Sequence, residues 1–367
     1  MSDFLAELRE ELLDGLERHE RRSARRRPAA PLYPGLLRPG TLVSAAAAAA
    51  ILVAGLVALR DLVREAPATR PHVVAVLSIG GTPIDAAPTD GSLWITDYTG
   101  RLVQIDPNRR RVTARIKVPV SPSGITTDAG ALWVQTAGTG CNGSLLRIEP
   151  SSRRIVGRVP LPYPSERLGA LTGAGGGGVW VKRGFCSWRQ EIDRINPTGA
   201  VTAHLALPNV DALATAAGTL WALDHDGTLT QIDEANGRIR TRWPQLAPLT
   251  LSDSTSWNTK ALVADGSGVW VLNTRRDAIL RIERGRIVRR LAVDASARPL
   301  LAQAPDGLWI ATAERLGSNY RLIRIDAASG AVTGALKLGI QQPVALIPTG
   351  DQLCVLTGDG KILFIGS

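Results

Sequence analysis

Trp94, Trp133, Trp180, Trp221, Trp270 and Trp309 stand in closely similar surroundings, and Cys354 holds a seventh place of the same kind. The interval between them is 39–49 residues, too short for an independent domain and long enough for one supersecondary unit, so the units must bury their apolar faces against one another. The copies read GSLWITDYTGRLVQIDP (91–107), ALWVQTAGTGCNGSLLRIEP (131–150), GVWVKRGFCSWRQEIDRINP (178–197) and TLWALDHDGTLTQID (219–233). GVWVLNTRRDAILRIE (268–283), GLWIATAERLGSNYRLIRID (307–326) and a degenerate QLCVLTGDGKILFI (352–365) complete the series. Each contains alternating apolar runs bounded by Gly, Pro or Asp, the pattern of short strands. The second copy resolves into four: GITTD, ALWVQTA, SLLRIEP and IVGRVPL.

One four-stranded antiparallel sheet per period, seven times over, predicts an all-β, seven-bladed β-propeller spanning 72–367. A solenoid of this period would need helices or caps, and neither appears in the repeats. The seventh copy stops after its third strand, whereas HVVAVLSIGG (72–81) matches the outer strands RVTARIKV, AVTAHLAL and AVTGALKL. That N-terminal outer strand should pair beside 361–365 and close the ring, removing the open edges an isolated sheet must manage. The Leu/Val-Trp-Val/Ile, Ile-Asp/Glu-Pro and Val-Thr pattern resembles YVTN/NHL-type and virginiamycin B (streptogramin) lyase-like propellers over about 72–367. It is unlike WD40 repeats, because no Trp-Asp dipeptide ends a blade.

Ahead of the repeats, TLVSAAAAAAILVAGLVAL (41–59) carries no charge. Nineteen helical residues span roughly 28 Å, close to a bilayer's hydrocarbon core. Forty residues precede it and no small-residue cleavage site follows, so it predicts an uncleaved signal anchor. Arg21, Arg22, Arg25, Arg26, Arg27 and Arg38 flank it on the N-terminal side with no acid among 21–38, which predicts a cytoplasmic N-terminus and an extracytoplasmic propeller in a single-pass cell-membrane protein. Leu5, Leu8, Leu12 and Leu16 place an amphipathic helix in the 1–27 tail, a possible handle for a cytoplasmic partner. Residues 28–40 form a Pro-rich connector and 60–71 a linker.

The net charge of +10 suits anionic polymers or lipid headgroups. The Arg-, Ala- and Gly-rich composition accounts for it equally well, and no nucleic-acid partner is expected. The Trp residues read as packing between sheets, and Asp106, Glu149, Asp233, Glu283 and Asp326 as turn formers whose carboxylates bind nearby backbone N–H groups. Cys141 and Cys186 fall in second-to-third-strand loops of consecutive blades, so an oxidising location predicts a disulfide between them. Cys354 should be a buried free thiol.

Ligands of propellers meet the face built from loops entering the inner strands and loops joining second to third strands. The first set supplies Arg167, Asn209, Trp257, Asn258, Lys260, Arg298 and Gln342; the second supplies Tyr98, Arg183, Trp188, His225, Arg275 and Tyr320. Together they form a basic, aromatic face suited to an anionic or carbohydrate-bearing partner. The resemblance implies an enzyme using histidine and glutamate with magnesium. Only His72, His204 and His225 lie in or beside the propeller, and His72 and His204 fall on outer strands away from the channel. The positions after each Trp (Asp97, Gln135, Lys182, Asp224, Asn273, Ala311) share no chemistry, and Asp224-His225-Asp226 reads as a hairpin turn before it reads as a metal site. These residues favour a non-enzymatic binding or scaffolding module for a protein, envelope polymer or small ligand, with no cofactor. The alternative is a divalent-metal-dependent lyase or hydrolase using acids such as Asp97, Asp224 and Glu314, the one reading that calls for Mg.

Overall fold

The computed structural model describes residues 70–89, 91–119, 121–137, 142–162, 171–183, 191–207, 209–224, 226–246, 261–273, 278–293, 299–313, 319–339, 342–350 and 352–366. The predicted tail, connector and membrane segment lie outside them, as does most of the linker.

The described chain starts with β1 (His72–Ser78) and then forms six blades of four strands. These are β2 (Pro83–Thr89), β3 (Ser92–Asp97), β4 (Arg101–Asp106) and β5 (Arg111–Lys117); then β6 (Ser121–Asp128), β7 (Ala131–Ala137), β8 (Asn142–Glu149) and β9 (Arg154–Pro162). Blade three is β10 (Leu171–Gly173), β11 (Val179–Arg183), β12 (Glu191–Ile195) and β13 (Val201–Leu205), and blade four β14 (Val210–Ala216), β15 (Thr219–Asp224), β16 (Leu229–Asp233) and β17 (Ile239–Trp243). Blade five is β18 (Leu262–Ala264), β19 (Gly268–Asn273), β20 (Ala278–Glu283) and β21 (Arg286–Ala292), and blade six β22 (Leu300–Ala304), β23 (Gly307–Thr312), β24 (Tyr320–Ile325) and β25 (Val332–Gly339). The chain ends with β26 (Pro343–Thr349), β27 (Gln352–Thr357) and β28 (Lys361–Gly366).

Each blade keeps its strands in chain order, and the seventh sheet runs β1-β28-β27-β26. His72 lies opposite Gly366 and Ser78 opposite Lys361, so the first strand of the propeller is the outer strand of its last blade, as the sequence predicts. The inner strands β2, β6, β10, β14, β18, β22 and β26 touch in succession, with β26 against β2. Residues 66–367 form a unit of their own, carrying their core and their own closing strand.

The six Trp side chains are at most 4% exposed. Each packs on the following blade: Trp94 on Leu132 and Val134, Trp180 on Leu213 and Leu220, Trp270 on Leu308 and Ile310. Burying roughly 200 Å² of such a side chain stabilises by about 5 kcal/mol, which makes the repeat a device for joining sheets. The third-strand residue opposite the Trp supports it: Arg281 lies 5.2 Å over Trp270 and Arg324 5.7 Å over Trp309. In blade seven the pair is inverted in size, with Cys354 opposite Phe364, so the aromatic volume lost from the second strand is restored from the third. Cys354 is a buried free thiol, and burial raises its pKa to about 11.

The blades share two faces. On the turn face, tight connections join first to second and third to fourth strands; on the loop face lie the second-to-third connections and the crossings to the next blade. β1 runs from the turn face at His72 to the loop face at Ser78. The expected turn formers divide by side-chain length. Asp106 accepts the Arg109 N–H at 2.9 Å, Asp233 the Ala235 N–H at 3.0 Å and Asp326 the Ser329 N–H, and all three carboxyls are held below 3.8. Glu149 and Glu283 differ from expectation: one more methylene carries each carboxylate past its turn amides, to the Ser152 hydroxyl and to Arg281 Nε at 2.9 Å.

Candidate functional site on the loop face

Among the described residues of the predicted site, Tyr98 is the most exposed large side chain, at 68%, and its backbone is fixed by neighbours. Its N–H donates to the Thr82 carbonyl at 2.9 Å and its carbonyl accepts the Ser121 hydroxyl at 3.4 Å. Asp97, buried beside it, accepts the Thr99 N–H at 2.6 Å and the Thr99 hydroxyl at 2.5 Å. Gly81, at φ +76°, gives that carboxylate room: a Cβ there would stand 1.7 Å from Asp97 Oδ2. Asp97 is thus occupied in building its loop. Asp224 behaves similarly, accepting the Thr228 N–H at 2.7 Å. Burial raises its pKa, and the nearby charge of Asp226 adds to the rise. At the next such turn, Asp359 receives Thr357 at 2.5 Å and Lys361 at 2.6 Å.

Arg183 sits at the end of β11 inside a charge cluster. Its Nε lies 2.7 Å from Asp193 and an outer nitrogen 2.9 Å from Glu191. His204 Nδ1 is 2.8 Å from Asp193 and its Nε2 is 3.6 Å from Glu191. Two carboxylates therefore flank the single Arg183 charge. His204, which the sequence places on an outer strand, is indeed on β13, but the pairing of β12 with β13 sets it directly opposite Asp193.

Tyr320 requires a correction. It was expected in a loop but is the first residue of β24, 2% exposed, packed with Trp309, Leu322 and Leu338. The aromatic ring prefers that apolar seam to solvent, and it leaves the set of surface candidates. Gln342 is partly exposed, and its carbonyl accepts the Gly358 N–H at 2.9 Å, linking two loops of blade seven. Asn209 stands at φ 60° ahead of β14. Arg167, Trp188, His225, Trp257, Asn258, Lys260, Arg275, Arg298, Glu314 and the Cys141 and Cys186 pair lie outside the described residues.

Sequence reasoning missed that some polar groups are buried between blades. Lys182, 4% exposed, donates from Nζ to the Val210 carbonyl on the inner strand of blade four. Asp85 accepts the Ala86 N–H at 2.8 Å and the Ile125 N–H of blade two at 3.4 Å. A charge inside VWVKR or PIDAAPT is a visible signal, since a buried charge needs a partner. Its partner belongs to another repeat, which the pattern of a single copy does not identify. Among the described residues, no three His, Cys, Asp or Glu side chains group closely enough to hold a metal ion.

No family model matches the chain, and no curated protein matches it. Solved structures do. A selenomethionine-substituted virginiamycin B lyase from Staphylococcus aureus superposes with a TM-score of 0.58 at 18% identity, over 80% of this chain and 99% of that one. A catalytically inactive form of that enzyme with quinupristin gives 0.59 at 17% identity, over the same shares. The described residues form an all-β, seven-bladed propeller whose fold is similar to that of virginiamycin B lyase.

Proposed function

We propose that this chain is a membrane-tethered, extracytoplasmic propeller that binds a protein, envelope polymer or small ligand through its loop face, without catalysing a reaction. The observation that carries this reading is the use of the loop-face carboxylates. Asp97 and Asp224 close their own turns, and Glu191 and Asp193 are bound to Arg183, so these acids serve the scaffold. Described acids fixed in this way leave shape and hydrogen bonding to recognition on a rigid scaffold. The tether is read from 41–59 and the basic flank before it.

One observation favours a second reading, that of a divalent-metal-dependent lyase or hydrolase: Asp224 has a raised pKa and a second carboxylate, Asp226, close by. The two readings part on one experiment. Thermal melting of the full chain with and without Mg²⁺ should show no shift, and immobilised protein should retain specific envelope material. A Mg²⁺-dependent rise in Tm abolished by Asp224→Ala would replace the binder with the enzyme.

A further inference from the structure

The third-to-fourth-strand turns of blades one, two, four and six have the same six-residue form and the same left-handed fifth position. Blades four and six fill it with Gly237 (φ 69°) and Gly330 (φ 76°). Blades one and two place Arg110 (φ 51°) and Arg153 (φ 60°) there. Blade five closes with a two-residue turn of two left-handed residues, and Arg284 (φ 45°) takes the first of them, where Asn, Asp or Gly is favoured. A left-handed backbone disfavours a side chain bearing Cβ, so three strained positions each present an arginine that geometry alone would make Gly or Asn.

These arginines are exposed, as are their neighbours Arg109, Arg154 and Arg286. Their contacts within the fold are slight. Arg110 lies 5.9 Å over the Phe364 ring and Arg153 gives only Nε to Gln104, while Asp106 is taken up by Arg109 at 3.0 Å. Each guanidinium retains N–H donors for an oxyanion. The three stand on blades one, two and five, distributed around the ring instead of converging, so no compact anion reaches all of them; an extended, flat, negatively charged surface does. β1 begins on this same face at His72. Under the tethered reading proposed above, the chain therefore enters the propeller on this face.

We propose that the turn face binds a bilayer surface rich in anionic phospholipid, leaving the loop face directed away from it. The membrane-side argument rests on the anchor, whereas the arginine geometry stands without it, and the test separates the two. Residues 66–367, which carry their own core and closing strand, are sedimented with vesicles of mixed phosphatidylglycerol and phosphatidylcholine at physiological ionic strength. They should bind these and not vesicles of pure phosphatidylcholine. The combined variant Arg110→Gly, Arg153→Gly, Arg284→Asn should partition about a hundredfold less, at roughly one kcal/mol per arginine, while its Tm stays level or rises because three strained positions are relieved. Wild-type partitioning by this variant would overturn the proposal, as would equal binding to uncharged vesicles. So would displacement by inorganic phosphate at constant ionic strength, or tighter capture by duplex DNA than by the vesicles. A variant that melts lower and still partitions normally assigns the arginines a structural role only. Extraction of the full-length chain from membranes by alkali would remove the anchor reading and leave the vesicle result to stand by itself.

Discussion

The two faces of the propeller use charge in opposite ways. On the turn face one solution recurs, an aspartate at the end of the third strand accepting N–H groups of its own turn, in Asp106, Asp233 and Asp326. On the loop face the described connections differ more from blade to blade: Asp97 and Asp224 each close a turn, the second from a half-buried carboxyl, whereas blade three carries a four-member charge cluster at Arg183. Repetition marks what the scaffold needs in every blade, and divergence marks positions free to meet a particular partner. The contrast also separates stability from recognition, so substitutions can test it.

Trp270→Ala should produce the largest effect, about 3–5 kcal/mol in denaturant unfolding, because it empties the seam between blades five and six. Tyr98→Ala on the loop face should change stability by less than about 0.5 kcal/mol and alter ligand capture instead. Similar stability losses from both would erase the distinction between seam and face. Gly81→Ala should cost about 1–3 kcal/mol, since it adds left-handed strain and drives Asp97 out of its turn; an unchanged Tm would show that the Asp97 turn contributes nothing to the loop face.

A smaller effect follows from Asp265 on the turn face. Burial tends to raise its pKa, but Arg281 at 2.7 Å and the Ser267 N–H and hydroxyl overcome that and hold it at about 2, below 3.8. A carboxyl lowered in the folded state stabilises the protein above its ordinary value and loses that contribution as pH falls through its folded value. Stability should therefore decline between pH 3.8 and about 2, with a shallower decline in Asp265→Asn; identical acid limbs in the two proteins would contradict the assignment. The smallest signal is chemical. Cys354 should resist alkylation in the folded chain at mildly alkaline pH and react on unfolding.

The architecture was legible because it is written seven times. Trp94, Ile105 and their counterparts recur at fixed places in each copy, and the displaced HVVAVLSIGG carries the outer-strand pattern that closes the ring. The site was less legible for a physical reason. Lys182 and Asp85 find their partners in the next blade, and Arg183 finds Glu191 and Asp193 across a strand pairing, so their roles depend on contacts that sequence spacing does not encode. Tyr320 shows the converse limit. Its place beside a loop suggested exposure, yet one residue of register carries the ring into the seam below Trp309. The arginines of the turn face were visible as charge, and only the backbone angle distinguishes Arg110 and Arg153 from an ordinary basic surface.

The central claim is that recognition belongs to the loop face. Hydrogen–deuterium exchange on the full-length chain in lipid nanodiscs, with and without solubilised envelope polymer, tests it most directly. The account predicts added protection confined to second-to-third-strand loops and interblade crossings, including the segments around Tyr98 and Arg183. Protection that appears only on the third-to-fourth-strand turns around Arg110 and Arg153 would contradict it.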